Sequence, residues 1–444
     1  MEESLESQVC VVGGGPAGLA LALELARRSV DVTVVEQSGR FDRSFRGESI
    51  SPDSVWLLQR MGVLEQVRGS TLETRRLEIG ERGRTVLAAE FGDFDLPSPY
   101  PMELPQPVML AALAEQGQAL RGFRLLRKAT ATGLLRAADG RVTGVRCKGP
   151  DGELDVRAAV TVGADGRFSK VREMAELPYE KTPLERDFVW FKVPRPEVWD
   201  AHTYRVRIVE DRHGLFIPTV PDLIRIGFNI PKGGLRELRK EGLPALHARI
   251  DELAPEVSEG VRESVTRWSD TSMLDIFTTV VPRWSAPGLV LIGDAAHTLT
   301  PVLGQGVNHA ITDAVVLAGL LAEASDAGDA GDERAALDRA GETFQRGRQA
   351  AVDHARLVQL RQERAFALSG PLPSLLRRTG YRLVNGSSRL KRKVLSGVYY
   401  PLQEAAASGS RAVETAPVPA VLPLPSESES GSNSGSDSAK GTRR

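Results

Sequence analysis

The chain has 444 residues, 41% of them hydrophobic and 26% charged, which describes a globular protein with a sizeable core and excludes a fibrous, disordered or membrane-embedded one. Basic and acidic side chains almost cancel, 57 against 58, so no global field advertises a nucleic acid or another polyanion. Cys10 and Cys147 are the only cysteines, too few for a disulfide framework, and the histidines 202, 213, 247, 309 and 354 show no metal-ligand spacing.

The acidic start MEESLESQ lacks the basic opening of a signal peptide, and no apolar run is long enough to span a bilayer; the expectation is a cytoplasmic protein. Residues 9–12 form a short apolar run, followed by a glycine cluster, a helical pattern over 16–28 and a second apolar run over 30–36. Strand, turn, helix and strand in that order predict a right-handed crossover, the beginning of a doubly wound sheet. The turn carries Gly13-x-Gly15-x-Ala17-Gly18. The first glycine makes the tight turn, the second lets the backbone approach a pyrophosphate, and the third allows helix and strand to pack closely. The start of the helix would hold the negative charge, and Glu36, closing the next strand, would accept hydrogen bonds from an adenosine ribose.

Further along, 46–68 reads as helical, 72–91 as two strands, and 106–120 as a helix headed by Gln106. Three β runs over 130–162 are broken by Asp139-Gly140 and Asp151-Gly152, both hairpin signals, and lead into Gly163-Ala-Asp165-Gly166. Aromatic-rich β runs over 187–230, including Trp190, Phe191, Phe216 and Phe228, predict a second sheet whose aromatics are chiefly core. The buried strand expected at 288–294 returns to the first fold unit and is followed by a helix over 306–322. Helical stretches at 333–368 and 371–406 follow, the second with a locally basic part whose default reading is a solvated face, with contact to an anionic membrane as the minority reading. The Pro, Ser, Gly and acidic composition beyond 408 predicts a disordered tail. The expected class is α/β: a Rossmann-like nucleotide-binding domain from 1–71, 102–182 and 283–330, an interleaved mixed β-sheet substrate domain from 72–101 and 183–282, and C-terminal helices over 331–407.

Residues 288–297, GLVLIGDAAH, continue through Pro301 and Gly304-Gln305-Gly306 to Val307 and Asn308. This stretch resembles the second FAD motif of the para-hydroxybenzoate hydroxylase-like, group A, flavoprotein monooxygenases. Asp165 with Ser169 and Arg172 resembles the middle motif of that family, and Arg46 and Gln106 match positions that touch its flavin. The resemblance spans 9–321. It implies FAD as the cofactor, with Asp294 on the ribityl chain and the backbone of Gly304, Gln305, Gly306 and Val307 facing the pyrimidine end of the ring. A helix start there suits the negative charge of a reduced flavin. It further implies an NAD(P)H-dependent monooxygenase that uses oxygen, through a flavin hydroperoxide, to hydroxylate or epoxidise a small organic substrate, with carbonyls near Pro301 close to the reacting edge. A single Gly-x-Gly-x-x-Gly element means that NADPH or NADH visits transiently. His297 is read as a structural member of the motif.

Three other readings share the fold or the cofactor. One is an FAD-dependent reductase or dehydrogenase, such as those that saturate polyprenyl chains. A second is a flavin-dependent halogenase, which residues 47–52, GESISP, also resemble; but the first lysine is Lys128, and the nearest match to the Trp-x-Trp-x-Ile-Pro element is LFIP at 215–218. The third, a non-catalytic flavin-binding protein, is disfavoured by the intact cofactor motifs.

Overall fold

The valine runs at 9–12 and 32–35 can be apolar at every position because helices cover both faces of the sheet they build. The computed structural model describes residues 3–41, 47–326 and 330–408. Arg46 and the tail expected beyond 408 lie outside the described residues. In the first sheet the strands lie in the spatial order Ser285–Ala286, Leu289–Leu291, Gly152–Gly163, Glu3–Val12, Val32–Glu36 and Phe123–Arg127. Leu289–Leu291, Gly152–Gly163, Glu3–Val12 and Val32–Glu36 run parallel, with Val12 opposite both Gly163 and Val35, and Gly163 opposite Leu291. Their carboxyl ends therefore share one edge, the ligand-binding edge of a doubly wound sheet. Val142–Gly149 pairs antiparallel with Gly152–Gly163, and Thr130–Arg136 antiparallel with Val142–Gly149, the chain turning where the two Asp-Gly dipeptides predict.

The helix Pro16–Arg27 opens with proline in its first turn and is buried from Ala17 to Ala26, because it lies between the sheet and the helix Gln305–Ser325. Among the described residues one helical stretch, Val302–Ser325, has the length and apolarity of a membrane span. Ile311, Ala314, Val315, Leu317, Ala318 and Leu321 within it are fully buried in the main core.

The second sheet has seven strands in the order Ser272–Leu274, Arg186–Pro194, Leu223–Pro231, Arg212–Thr219, Thr203–Val209, Arg76–Glu81 and Arg84–Glu90. Strand alternation sends Phe191, Phe216 and Phe228 to one face, under the helices Leu235–Glu241, Leu243–Leu253 and Ser258–Ser264. Phe188, Trp190, Leu215 and Ile217 point to the other face. A short three-stranded sheet of Ser49–Ile50, Met102–Glu103 and Leu72–Glu73 joins the two halves. The start of the expected substrate segment, Leu72–Glu73, thus pairs with a strand from the expected nucleotide-binding part, Met102–Glu103.

Four helices complete the described residues: Ala330–Ala367, Pro371–Asn385, Ser388–Tyr399 and Pro401–Ala407. The last returns to the first half, where the Asp53 carboxylate accepts the free amides of Leu402 (2.6 Å) and Gln403 (3.1 Å) at the start of the helix.

Candidate active site

Four chain segments leave the shared strand edge, and each brings one of the residues singled out by the sequence. After Glu3–Val12 the chain turns at Gly13 with φ +112°, where a Cβ would lie 2.4 Å from the Ala164 carbonyl oxygen. A Cβ at Gly18 would lie 1.9 Å from the Gly13 carbonyl oxygen, so Gly18 serves helix–strand packing; at Gly15 a Cβ would meet nothing within 4 Å. Gly13, Gly15 and Ala17 line a cavity of about 1000 Å³. Glu36 lines it as well, its carboxylate accepting the amides of Gly14 (2.6 Å) and Ser38 (2.7 Å). Asp165, at the end of the third strand, accepts the amides of Lys170 (2.7 Å) and Val171 (3.0 Å) through Oδ2, while its buried Oδ1 has no partner. Burial raises its pKa against these hydrogen bonds. Arg172 of the same motif is buried and donates to the Ala295 carbonyl, tying this loop to the next.

The expected strand at 288–294 is shorter, Leu289–Leu291, because Gly293–Ala295 folds into a tight helical turn that places Asp294 on the cavity wall. After Pro301, Leu303 and Gly304 take left-handed conformations in succession (φ 62° and 63°), and the helix Gln305–Ser325 starts with its first residues against the cavity. Pro301, Gly304, Gly306, Val307 and Asn308 are on the lining. Gln305 is not among the lining residues; its amide turns back to the Leu303 carbonyl (3.1 Å), which shapes the loop. Asn308 accepts the Ser51 amide and donates to the Ser49 and Gly304 carbonyls, and Gln106 lines the cavity beside Gly47. His297 lies behind this wall. It pairs with Asp313 (2.7 Å), which also accepts Arg348 (2.8 Å); although burial opposes it, these two partners hold the Asp313 carboxyl well below the usual range.

The cavity continues under the second sheet, where Leu77, Ile79, Leu87, Trp190, Leu215 and Ile217 form an apolar wall. Into it projects a charge cluster that the sequence reading missed. Arg225 bonds Glu48 (3.0 Å), Glu103 (2.9 Å) and Ser49 Oγ (2.8 Å), and Lys192 reaches Glu48 (3.1 Å). Burial pushes Glu103 up to about 7, against the pull of Arg225. The signal was an arginine in the strand Leu223–Pro231, which is buried over Ile224–Ile230, so that its charge has to find a buried partner. The far wall comes from the C-terminal helices through Tyr381, Val384, Leu395, Val398 and Tyr399, a second feature that sequence reasoning did not assign to the site.

Glu103 makes a pH prediction. A carboxyl raised from its ordinary 4.5 to about 7 binds its proton more tightly in the folded state, so its contribution to stability is full below pH 4.5 and is lost as pH rises through 7. Glu103→Gln should flatten this part of the profile: relative to the parent, the variant gains melting temperature between pH 5 and 7.5, by on the order of 2–3 kcal/mol of stability. Parallel melting curves for the two proteins across that range would show that Glu103 is ordinary.

Parallel strand ends, a glycine cradle at a helix start and a second helix start on the same cavity define a dinucleotide-binding flavoprotein of the two-sheet kind. The orphaned Asp165 Oδ1 and the open space at Gly15 fit FAD: they are an acceptor and a gap with no protein group to fill them. The FAD binding domain family matches residues 6–355. The chain is 35% identical over 402 residues to 6-methylpretetramide 4-monooxygenase of Streptomyces rimosus, covering 90% of this chain and 93% of that one. It is 28% identical to 3-demethoxyubiquinol 3-hydroxylase of Escherichia coli (strain K12), over 73% of this chain and 82% of that one. In fold it resembles PqsL of Pseudomonas aeruginosa, solved in complex with 2-aminobenzoylacetate, with a TM-score of 0.73 and 23% identity over 85% of this chain and 99% of that one. The chain belongs to the FAD binding domain family, as a group A flavoprotein monooxygenase. It is an FAD-dependent monooxygenase acting on a small organic substrate.

Proposed function

We propose that the substrate is a fused, electron-rich aromatic molecule bearing phenolic or enolic oxygens, hydroxylated on the ring, with NADPH or NADH as the electron source. The observation that carries this reading is the continuity of the cavity from the nucleotide-binding edge to the space between the second sheet and the C-terminal helices. Its apolar wall of Trp190, Leu215, Ile217 and Phe366 suits flat hydrocarbon rings. Polar groups stand at separated places on that wall: the Arg225–Glu103 pair on one side, Tyr381 and Tyr399 on the other. Such spacing suits a rigid molecule with oxygens at both ends better than a single small ring.

FAD, when bound, supplies the redox chemistry, taking electrons from the pyridine nucleotide and activating oxygen. Gly13, Gly15 and the start of Pro16–Arg27 would hold its pyrophosphate, Glu36 its ribose, Asp294 the ribityl chain, and the first amides of Gln305–Ser325 the ring. The remaining residues exclude water and set orientation. Val384, Leu395 and Val398 close the side of the cavity opposite the second sheet, and Arg225, fixed by three partners, presents positive charge to an anionic oxygen.

The test is turnover under isotopically labelled oxygen gas with a panel of fused phenolic substrates. One labelled oxygen atom per product, and reductant consumption that accelerates when substrate is added, are the expected results. Unlabelled product, or full turnover under strict anaerobiosis, would move the protein to the reductase reading with the FAD fold intact.

A further inference from the structure

We propose that the outward face of the helices Pro371–Asn385 and Ser388–Tyr399 docks on an anionic lipid bilayer and opens the substrate cavity toward it. In the first helix Leu372, Leu375, Leu376 and Leu383 recur at i, i+3, i+4 and i+11, which puts them on one stripe. Each is between 50% and 67% exposed, whereas Ser374 and Arg377, on the opposite side of the helix, are buried. The stripe is therefore not a core face. In the second helix Leu390 and Val394, four residues apart, are 40% and 47% exposed, and Leu368 just before the pair is 39% exposed. These leucines and the valine make up most of the large apolar side chains exposed on the described surface. Contiguous exposed apolar area of this kind marks a contact surface.

Charge decides among occupants. Residues 371–400 hold seven arginines and lysines and no acidic residue, in a chain whose net charge is −1; Arg377 is buried against Glu81, whereas Arg382, Arg389, Arg392 and Lys393 are exposed. Arg382 and Arg389 are exposed beside the leucines. A second copy of the same face would set this positive strip against itself in a two-fold contact, which like charge opposes. The chain's own residues 409–444 carry four acids and four bases and bring no net negative charge to match it. Leucines flanked by cations on two amphipathic helices are the composition of an interfacial membrane contact with anionic headgroups.

The same helices turn Tyr381, Leu395, Val398 and Tyr399 inward as one wall of the cavity, and Val394 belongs to both the lining and the exposed stripe. The cavity's edge and the docking face are thus continuous. A lipophilic substrate held in the bilayer would pass between the helices without crossing water.

Flotation of the full-length, FAD-loaded protein with vesicles tests this, comparing phosphatidylcholine alone with phosphatidylcholine containing phosphatidylglycerol. The expected result is flotation with the anionic vesicles alone, reversed by salt. Arg382→Gln combined with Arg389→Gln should lower partitioning by about fivefold per cation, on the order of 25-fold together. Leu376→Ser combined with Leu383→Ser should abolish flotation with the flavin spectrum and melting temperature unchanged, since both side chains face outward. Absence of flotation with either vesicle, or flotation that ignores lipid charge and survives the leucine substitutions, would overturn the proposal. So would a leucine-dependent dimer in sedimentation, or leucine-dependent binding to an acidic carrier protein, without vesicle binding; either would assign the face to a protein partner.

Discussion

Gly18→Ala is expected to yield colourless, poorly folded protein, and Gly15→Ala a well-folded protein that holds FAD weakly. The two glycines share one motif, yet a methyl group meets different things at each. At residue 18 it would sit 1.9 Å from the Gly13 carbonyl oxygen, a backbone atom that cannot rotate away. Relief requires Pro16–Arg27 to lift from Glu3–Val12, which strains the most buried helix of the first core; the cost is about 3 kcal/mol or more. At residue 15 the backbone is extended (φ −84°, ψ −174°), a conformation alanine adopts freely, and the methyl would meet nothing within 4 Å. The space it enters is the one proposed above for the pyrophosphate, so the loss should appear in flavin titration alone, as roughly tenfold or more weaker binding if one charge-assisted amide contact is disturbed. Equal melting temperatures and equal flavin content across parent, Gly15→Ala and Gly18→Ala would remove the cradle from the cofactor site.

The residues that proved readable in the sequence are those that local geometry dictates. Gly13, Glu36, Asp165 and Asp294 each follow a short apolar run, and once those runs form parallel strands their ends must converge on one edge. The two Asp-Gly hairpins were legible for the same reason: the turn is encoded in two adjacent residues. Unreadable residues depend on partners far along the chain. Glu48 and Glu103 meet Arg225 only because Ser49–Ile50 pairs with Met102–Glu103 in a sheet of two-residue strands, too short to leave a periodicity. The helices over 235–264 escaped notice because Gly242, Pro244 and Pro255 break their apolar spacing into pieces of a few turns. The basic C-terminal stretch was legible as helical, with a locally basic part. What the sequence could not specify was which side faces inward, since Tyr381 and Leu383 are equally good candidates for burial and only the second sheet chooses between them.

Arg377→Met is expected to destabilise the protein by about 3–5 kcal/mol and to uncouple oxygen consumption from product formation. Arg377 and Glu81 form a pair with side chains 1% exposed each, through Nε–Oε2 (3.2 Å) and an amino group to Oε1 (2.9 Å). The second amino group donates to the carbonyls of Ala365, Phe366 and Leu368, the open end of Ala330–Ala367. One side chain thus fastens three elements, the strand Arg76–Glu81 and the helices on either side of Gly370. Methionine fills similar volume but leaves the Glu81 charge buried and several carbonyls without donors, and this loss, rather than the net worth of the ion pair, sets the magnitude. Replacing Glu81 by methionine as well should recover a large part of the stability, since two apolar groups can pack where two charges were. The functional effect follows from position. Tyr381 lies one turn beyond Arg377, Phe366 is held by Arg377 through its carbonyl, and both line the cavity. A loosened wall admits water, so the variant should consume reductant and oxygen while releasing hydrogen peroxide in place of hydroxylated product. Unchanged melting temperature in Arg377→Met, or full coupling in a variant that has lost the expected stability, would show that the C-terminal helices are not part of the wall that keeps the reaction dry.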